Sequence, residues 1–209
     1  MTVRFRKIDD QNRGHHSYLT ADDDCLFLLE YTSGQDYSFS ATNSLISNLK
    51  KKPSLASTGP YRYKLEAIDA CGVALGEAIA PKWLAAGTLV PVPPSKARGD
   101  PEYDDRILKI CCAIPGAVDV RELVVQTRSL PAAHESDQRP SIDDLLTVYR
   151  IDESKVAPAP RSIAIIDDVL TNGTHFRAMT TTLQHRFPGV PISGLFIARR
   201  VFQNPFESP

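Results

Sequence analysis

The chain has 209 residues, of which 42% are hydrophobic and 23% are charged, and its formal net charge is −1. This length and composition are typical of one soluble globular domain with some elaboration. The small net charge predicts no general attraction to nucleic acid or to an anionic membrane. The apolar runs are far shorter than the ~20 residues that a membrane span needs.

The N-terminus and the cysteines favour a cytoplasmic location. The opening MTVRFRKIDDQNRGHH is polar and charged and lacks the apolar core of a secretory signal. Cys25, Cys71, Cys111 and Cys112 contain no CxxC pair, so a zinc knuckle is not predicted. Buried thiols are the simpler interpretation of all four, and they fit a reducing compartment.

The N-terminal part of the chain carries weak structural signals. Residues 1–20 predict an irregular arm. The apolar run 25–33 fits either a strand or a short helix, because its pattern does not decide the period. Residues 43–52 predict a short helix that Asn43 or Ser44 caps.

Three clearer elements follow. The helical spacing of apolar residues predicts a helix over 61–80, and a short buried strand follows at 87–93. The next helix is predicted over 100–114, because Asp100 can cap it and Pro101 suits its first position.

The second half alternates strands with helices. A strand is predicted at 118–126, a loop at 127–140 and a short helix with Ser141 at its start over 141–149. The remaining predicted elements are a central strand at 162–168, a helix at 174–187 and a final strand at 191–202.

This alternation predicts an α/β fold with a mainly parallel central sheet. We expect residues 1–58 to form an N-terminal arm and a hood or cap segment. Residues 59–209 are expected to form the α/β domain.

The strongest functional signal lies where the predicted central strand ends. Asp167 and Asp168 follow four apolar residues, and the turn 171–174 (TNGT) then leads into a helix. Ligands of parallel sheets bind at the carboxyl ends of strands, and free amides at a helix N-terminus favour a phosphate. Two carboxylates suit the vicinal hydroxyls of a sugar. The stretch therefore predicts a cradle for a ribose 5-phosphate.

These residues resemble a known pattern. IAIIDDVLTNGTH (163–175) is similar to the phosphoribosyl-pyrophosphate (PRPP) motif of type I phosphoribosyltransferases, in which V-x-T-T-G-x-T commonly follows the acids. This chain has Asn172 where a threonine is common, and His175 lies just after the turn. The alternative is an ordinary strand end that leads into a capped helix.

The resemblance implies a three-layer α/β fold and a set of ligand-binding residues. Asp167 and Asp168 would hold the ribose hydroxyls and, indirectly, a metal ion. The 5′-phosphate would be bound by Val169, Leu170, Thr171, Asn172, Gly173 and Thr174.

A second stretch, LVPVPPSKARGD (89–100), resembles the pyrophosphate loop of the same superfamily, particularly its competence-protein ComF-like branch. The resemblance implies that Ser95 and Lys96 contact pyrophosphate, with help from Arg98 and Arg106. The alternative is a turn with a solvated lysine.

The loop 127–140 falls where the superfamily carries a flexible hood that closes over PRPP. Thr127, Arg128, His134 and Arg139 match that hood loosely, and a surface loop without a role is the alternative. Closure would exclude water and bring cations to the leaving pyrophosphate.

The resemblance covers roughly residues 60–202, and the first 55 residues match no pattern. This N-terminal segment is the candidate for acceptor recognition or partner binding. Tyr31, Tyr37 and Phe39 could stack on a base, although core packing is the simpler interpretation of each.

The resemblance implies a phosphoribosyltransferase that uses PRPP with Mg²⁺ and transfers phosphoribosyl to a nitrogen acceptor. One alternative is a catalytically silent module that senses PRPP or a nucleotide, or binds a partner. Another is a nucleotide-cleaving effector of a bacterial conflict system. A homodimer is common among type I enzymes, and neither a membrane nor a nucleic-acid partner is expected.

Overall fold

The computed structural model describes residues 4–116, 118–130 and 140–203. The strands in these residues are β1 Arg6–Lys7, β2 Asp24–Ser33, β3 Thr88–Pro91, β4 Asp119–Val120, β5 Val124–Gln126, β6 Tyr149–Ile151, β7 Ile163–Leu170 and β8 Ile192–Phe202. The α-helices are α1 Ala41–Leu49, α2 Arg62–Ala78, α3 Pro81–Leu84, α4 Arg106–Cys112, α5 Ile142–Val148 and α6 Thr174–Arg186.

A six-stranded sheet forms the centre of the fold. Its order is β1-β2-β8-β7-β3-β4, and every neighbouring pair is parallel except β1 with β2. Strands β5 and β6 form a separate antiparallel pair. The prediction of an α/β fold with a mainly parallel sheet is therefore confirmed.

Helices cover both faces of the sheet, and each face has its own hydrophobic cluster. One cluster joins α1, α2 and α4 to the sheet through residues such as Ile46, Leu75 and Ile110. The other joins α5, α6 and the β5–β6 pair to the opposite face. Residues of β7 alternate between the two clusters, since side chains of a strand point to opposite faces. The result is three layers with β7 in the middle.

Several elements agree with the sequence predictions. Strand β7, helix α6 and strand β8 lie where the patterns predicted them, and α5 begins after Ser141 as expected. The Ser141 hydroxyl accepts from the Asp144 amide at 3.1 Å, and the Asp144 carboxylate accepts from the Ser141 amide at 2.9 Å. These two bonds form a capping box, which explains the correct prediction of this short helix.

The helix predicted over 100–114 is wrong at its start. Helix α4 begins only at Arg106. Asp100 uses its carboxylate in a local turn, where it accepts from the Glu102 amide at 2.9 Å and from the Ser129 hydroxyl at 2.8 Å. A side chain that closes a turn competes with helix formation.

Two other boundaries also differ from the predictions. The strand predicted over 118–126 is two short strands, β4 in the central sheet and β5 in the separate pair. Helix α1 begins at Ala41, and the Ser40 hydroxyl caps it by accepting from the Asn43 amide at 3.0 Å. The predicted caps, Asn43 and Ser44, lie inside that helix.

The expected N-terminal cap requires a correction. Strand β2 pairs with β8 along nearly its whole length, so residues 24–33 are part of the central sheet. The sequence left this segment open because its apolar run fits a strand or a helix equally well.

Some predicted core residues lie on the surface. Tyr37 and Phe39 are 67% and 46% exposed, so core packing was wrong for both, whereas Tyr31 packs partly against the core. Cys112 is exposed and the other three cysteines are buried. No helix in the described residues is long and apolar enough to cross a membrane.

Candidate functional site at the carboxyl edge of the sheet

The two acids near the end of β7 point to opposite faces of the sheet. Asp168 is buried on the α4 face, where its Oδ2 accepts from Nε and Nη2 of Arg106, both at 2.9 Å. A guanidinium that donates two bonds to one carboxylate fixes its position strongly. In the structure the charge of Arg106 is paired with Asp168, and the expected contact of Arg106 with pyrophosphate stays a prediction.

The ion pair continues into the core as a chain of four charges. Arg106 Nη1 donates to Asp104 Oδ2 at 2.8 Å, and Lys64 Nζ donates to the same oxygen at 2.7 Å. Lys64 is only 2% exposed and also donates to the Lys51 carbonyl at 2.6 Å. We call Lys64, Asp104, Arg106 and Asp168 the Asp168 network; its two positive and two negative charges balance.

The network keeps Asp168 ionised. Burial by itself would raise the pKa of the Asp168 carboxyl, but the positive charges of Lys50 and Arg106 outweigh it and hold that pKa well below its usual range. Asp168 is therefore an anion at any physiological pH.

Asp167 lies in a different environment on the other face. Its Oδ1 accepts from the Asp168 amide at 2.8 Å, and no side-chain cation pairs with it among the described residues. Burial and the negative charge of Asp168 raise the pKa of Asp167 to about 7. Asp167 can thus change its protonation state near neutral pH.

A tyrosine and a histidine lie on the Asp167 side. The Tyr149 hydroxyl and His175 Nδ1 form a hydrogen bond of 2.9 Å that joins β6 to the first turn of α6. Burial, and then the nearby charge of Asp167, raise the pKa of Tyr149, and burial lowers the pKa of His175. Both side chains are accordingly neutral near pH 7.

The turn 171–174 has the geometry of an oxygen-binding loop. Asn172 Oδ1 accepts from Thr174 Oγ1 at 2.8 Å and from Thr174 N and Thr171 Oγ1, both at 3.3 Å. Gly173 has φ +91°, which a residue with a side chain rarely adopts. Three donors converge on one oxygen at the N-terminus of α6, where the helix dipole favours negative charge.

Val169 and Leu170 do not present their side chains at this site. Val169 is 6% exposed and Leu170 is 2% exposed, and they lie in the two separate hydrophobic clusters. Their expected part in ligand binding is thereby reduced to the backbone.

The predicted pyrophosphate loop lies at the same edge of the sheet. Strand β3 is the parallel neighbour of β7, and the Val92 amide donates to the Ile166 carbonyl at 2.9 Å. The loop that begins at Pro93 therefore starts beside the acidic pair. The Ser95 carbonyl accepts from the Gln126 side chain, and this bond ties the loop to β5.

The two basic residues of this loop differ in their partners. Arg98 pairs with Glu122 at 2.5 Å. Lys96 is half-buried and has no ion pair in the part of the chain that the structure describes. Both line a cavity of about 360 Å³ with Tyr103, Glu122 and Thr127, and of the described residues neither acid of β7 lines it. The structure thus brings loop and acids to one edge without joining them in one cavity.

The predicted hood segment lies between the two strands of the separate pair. Thr127 Oγ1 donates to the Val148 carbonyl at 3.0 Å, and Arg128 donates to the Thr147 hydroxyl at 3.3 Å. His134 and Arg139 lie outside the described residues. Gln126 and Thr127, at the end of β5, line the same cavity as Lys96.

Sequence reasoning missed the part of the N-terminal arm that contacts the turn. The buried ring of His16 bonds through Nδ1 to the Thr171 carbonyl, and the Tyr18 amide donates to the Asn172 carbonyl at 2.9 Å. Arg177 donates to the Tyr18 carbonyl at 3.0 Å and pairs with Asp23. No local sequence signal predicts contacts between residues this far apart in the chain.

A larger cavity of about 580 Å³ lies at the opposite edge of the sheet. It is lined by residues around the start of β3, including Thr88, Asp119, Arg121 and Arg161. Size alone would favour this cavity, but Arg121 is already committed to Asp119 and to the Pro158 carbonyl. The converging donors and the shifted carboxyls point to the carboxyl edge instead.

No group of three or more His, Cys, Asp or Glu side chains in the described ranges could hold a metal ion. A scan against protein-family models finds no family that matches the chain, and no curated protein matches its sequence.

Proposed function

We propose that the chain is a phosphoribosyltransferase-like protein with the three-layer type I fold. It binds PRPP with Mg²⁺ and transfers the phosphoribosyl group to a nitrogen acceptor, with release of pyrophosphate. The observation that carries this proposal is the convergence of the acidic pair, the 171–174 turn and the Lys96 loop at one edge of the sheet, on the neighbouring strands β7 and β3.

Each element has a chemical task in this proposal. The turn donates amide and hydroxyl hydrogens to the 5′-phosphate, and a phosphate oxygen takes the position that Asn172 Oδ1 occupies in the structure. Asp167 accepts hydrogen bonds from the ribose hydroxyls, and Asp168 is held beside it by Arg106. Lys96 provides positive charge for the pyrophosphate.

In the reaction, an acceptor nitrogen forms a bond to the anomeric carbon while the bond from that carbon to the pyrophosphate oxygen breaks. The electron pair of the broken bond leaves with pyrophosphate, and the acceptor nitrogen loses its proton to a pyrophosphate oxygen. Positioning and charge stabilisation provide most of the catalysis.

Magnesium enters this proposal as part of the substrate. Because Arg106 already neutralises Asp168, the acidic pair suits neutral hydroxyl groups better than a metal ion. The ion is therefore held by the oxygens of PRPP, with Asp167 as the available protein carboxylate. We also propose a cytoplasmic location, because free thiols fit a reducing compartment.

Calorimetric titration with PRPP and Mg²⁺ tests the proposal. We expect the unmodified chain to bind, and Asp167→Asn to weaken binding at least tenfold, because an amide is a poorer acceptor for hydroxyl groups than a carboxylate. Asp69→Asn is the matched control, since Asp69 lies on the exposed side of α2. An unmodified chain that does not bind PRPP would overturn the proposal, and so would unchanged affinity in Asp167→Asn.

One observation favours ligand sensing without turnover as a second candidate. Arg98 is paired with Glu122, and Arg106 is paired with Asp168 and Asp104, so two of the expected cations are committed elsewhere. Pyrophosphate release from PRPP with a panel of nitrogen bases distinguishes the candidates. Binding without release would favour sensing.

A further inference from the structure

Residues 16–19 of the N-terminal arm contact the 171–174 turn and bond to two consecutive carbonyls of it. His16 Nδ1 bonds to the Thr171 carbonyl, and the Tyr18 amide donates to the Asn172 carbonyl at 2.9 Å. The Leu19 side chain packs against Gly173, where an added Cβ would come within 3.1 Å of it. The arm thus contacts three successive residues of the turn from one side.

Because peptide bonds are planar, a contact that fixes a carbonyl also fixes the direction of the N–H group in the same peptide. In a trans peptide the carbonyl and the N–H point in opposite directions, and the only cis bond in the described residues is Ala157–Pro158. The Thr171 carbonyl shares its peptide with the Asn172 amide, and the Asn172 carbonyl shares its peptide with the Gly173 amide. Because the arm binds both carbonyls, both amides point away from the arm.

His16 is built into this contact. Its ring is fully buried, and burial lowers its pKa, so the ring is neutral. A carbonyl oxygen can only accept, so Nδ1 carries the hydrogen. Its Nε2 atom is buried without a hydrogen-bond partner in the described part of the chain. The ring therefore makes a single hydrogen bond, and that bond is to the turn.

A second contact fixes the arm to the helix behind the turn. Arg177 on α6 donates to the Tyr18 carbonyl at 3.0 Å and pairs with the nearly buried Asp23. Arm, turn and helix are thus bonded to one another across more than 150 positions of sequence.

We propose that His16 is a positioning residue for phosphate recognition: through the Thr171 carbonyl it holds the amides of the 171–174 turn toward the phosphoryl group of the ligand. This inference rests on the proposed function and extends it, since it assigns the N-terminal arm to the phosphate end of the site.

Two ligands that use different parts of the site test the role of His16. Ribose 5-phosphate depends on the turn, whereas pyrophosphate depends on the Lys96 loop. We expect His16→Leu to weaken ribose 5-phosphate binding about tenfold, the effect of one lost hydrogen bond to a positioned group, and to leave pyrophosphate binding unchanged. His16→Asn should restore most of the affinity, because its Nδ2 lies as many bonds from Cα as the Nδ1 of histidine. His185→Leu, at the exposed far end of α6, is the matched control.

A second variant is needed in case His16→Leu does not fold, and Arg177 suits it because its side chain is partly exposed. Arg177→Met removes the bonds to the Tyr18 carbonyl and to Asp23, and we expect a loss of about threefold for ribose 5-phosphate. Arg186→Met on the same helix removes a surface pair with Glu153 and the contact of the guanidinium with the Phe187 ring, and it should have no effect on ribose 5-phosphate binding.

Nitrogen-15 relaxation examines the turn without any ligand. In the unmodified chain the amides of Asn172 and Gly173 should have order parameters near the rigid value of about 0.85, and His16→Leu or Arg177→Met should lower them toward about 0.6. Rigid amides in both variants would overturn the inference. Equal weakening of both ligands, or no recovery in His16→Asn, would do the same. If the unmodified chain binds neither ligand, the proposed function fails, and the relaxation data still decide whether His16 orders the turn.

Discussion

Asp167 and Asp168 are neighbours in sequence and identical in chemistry, yet the fold treats them in opposite ways. Asp168 is buried against Arg106, and its pKa lies well below the usual range. Asp167 points to the other face, has no cationic partner among the described residues, and has its pKa raised to about 7. The proton thus goes to Asp167 first, because the charge of Asp168 is already balanced.

The difference teaches that the two faces of one strand can serve different purposes. The α4 face supplies a balanced charge network that holds one carboxylate in place. The α6 face supplies Tyr149 and His175, which are neutral hydrogen-bonding groups. A pair that looks symmetrical in sequence is therefore one fixed anion beside one group that titrates.

The largest expected effect follows from removing the fixed anion. Asp168→Ala should lower the free energy of unfolding by about 3–5 kcal/mol, because Arg106 loses its buried partner. Urea denaturation measures this loss, with Asp69→Ala as the exposed control. A loss no larger than that of the control would show that Asp168 is not held as the structure indicates.

The far end of the network should matter slightly less. Lys64→Met should cost about 2–3 kcal/mol, because it leaves the Lys51 carbonyl and one side of Asp104 without a donor, while Arg106 still pairs with Asp104. Lys82→Met, at an exposed position of α3, is the control in the same denaturation experiment. Equal stability of the two variants would contradict a network role for Lys64.

Asp167 should make the stability of the fold depend on pH. The pKa of Asp167 is raised from about 3.9 in the unfolded chain to about 7 in the fold. Its contribution to stability is therefore fully present below about pH 4 and is lost as the pH rises through about 7. We expect Asp167→Asn to gain about 3 kcal/mol relative to the unmodified chain between pH 4.5 and pH 8. Denaturation curves at a series of pH values measure this difference, and a constant difference would refute the raised pKa.

The smallest effect concerns the neutral pair on the Asp167 side. Tyr149→Phe removes the hydroxyl that bonds to His175 and should cost about 1 kcal/mol. Thermal denaturation of this variant beside Tyr37→Phe, whose hydroxyl lies on an exposed ring, isolates the buried bond. Identical shifts in melting temperature would mean that the bond to His175 adds nothing.

Sequence reasoning succeeded where the signal is local. Ser141 and Asp144 lie three residues apart, and their reciprocal bonds fix the start of α5. The apolar run of β7 is buried on both faces, as its composition indicates. Helix α6 begins at Thr174, directly after the turn with Gly173.

It failed where a distant contact competes with a local pattern. Asp100 and Pro101 form a good helix start by sequence, but the Ser129 hydroxyl donates to Asp100 and the helix begins only at Arg106. Residues 118–126 have one continuous strand pattern, yet their two halves join different sheets. In both cases the deciding partner lies outside the stretch: Ser129 bonds to Asp100, and β3 and β6 pair with the two halves of 118–126.

The sequence by itself determined the α/β class, the central strand, the turn after it and the candidate acids, because each depends on residues adjacent in the chain. Only the tertiary structure decided which acid carries a fixed charge, since Arg106 lies 62 positions from Asp168. It also decided that His16 bonds to the Thr171 carbonyl of the turn, 155 positions away in the chain. Burial and charge pairing depend on what folding brings together, and for these residues a local pattern does not record it.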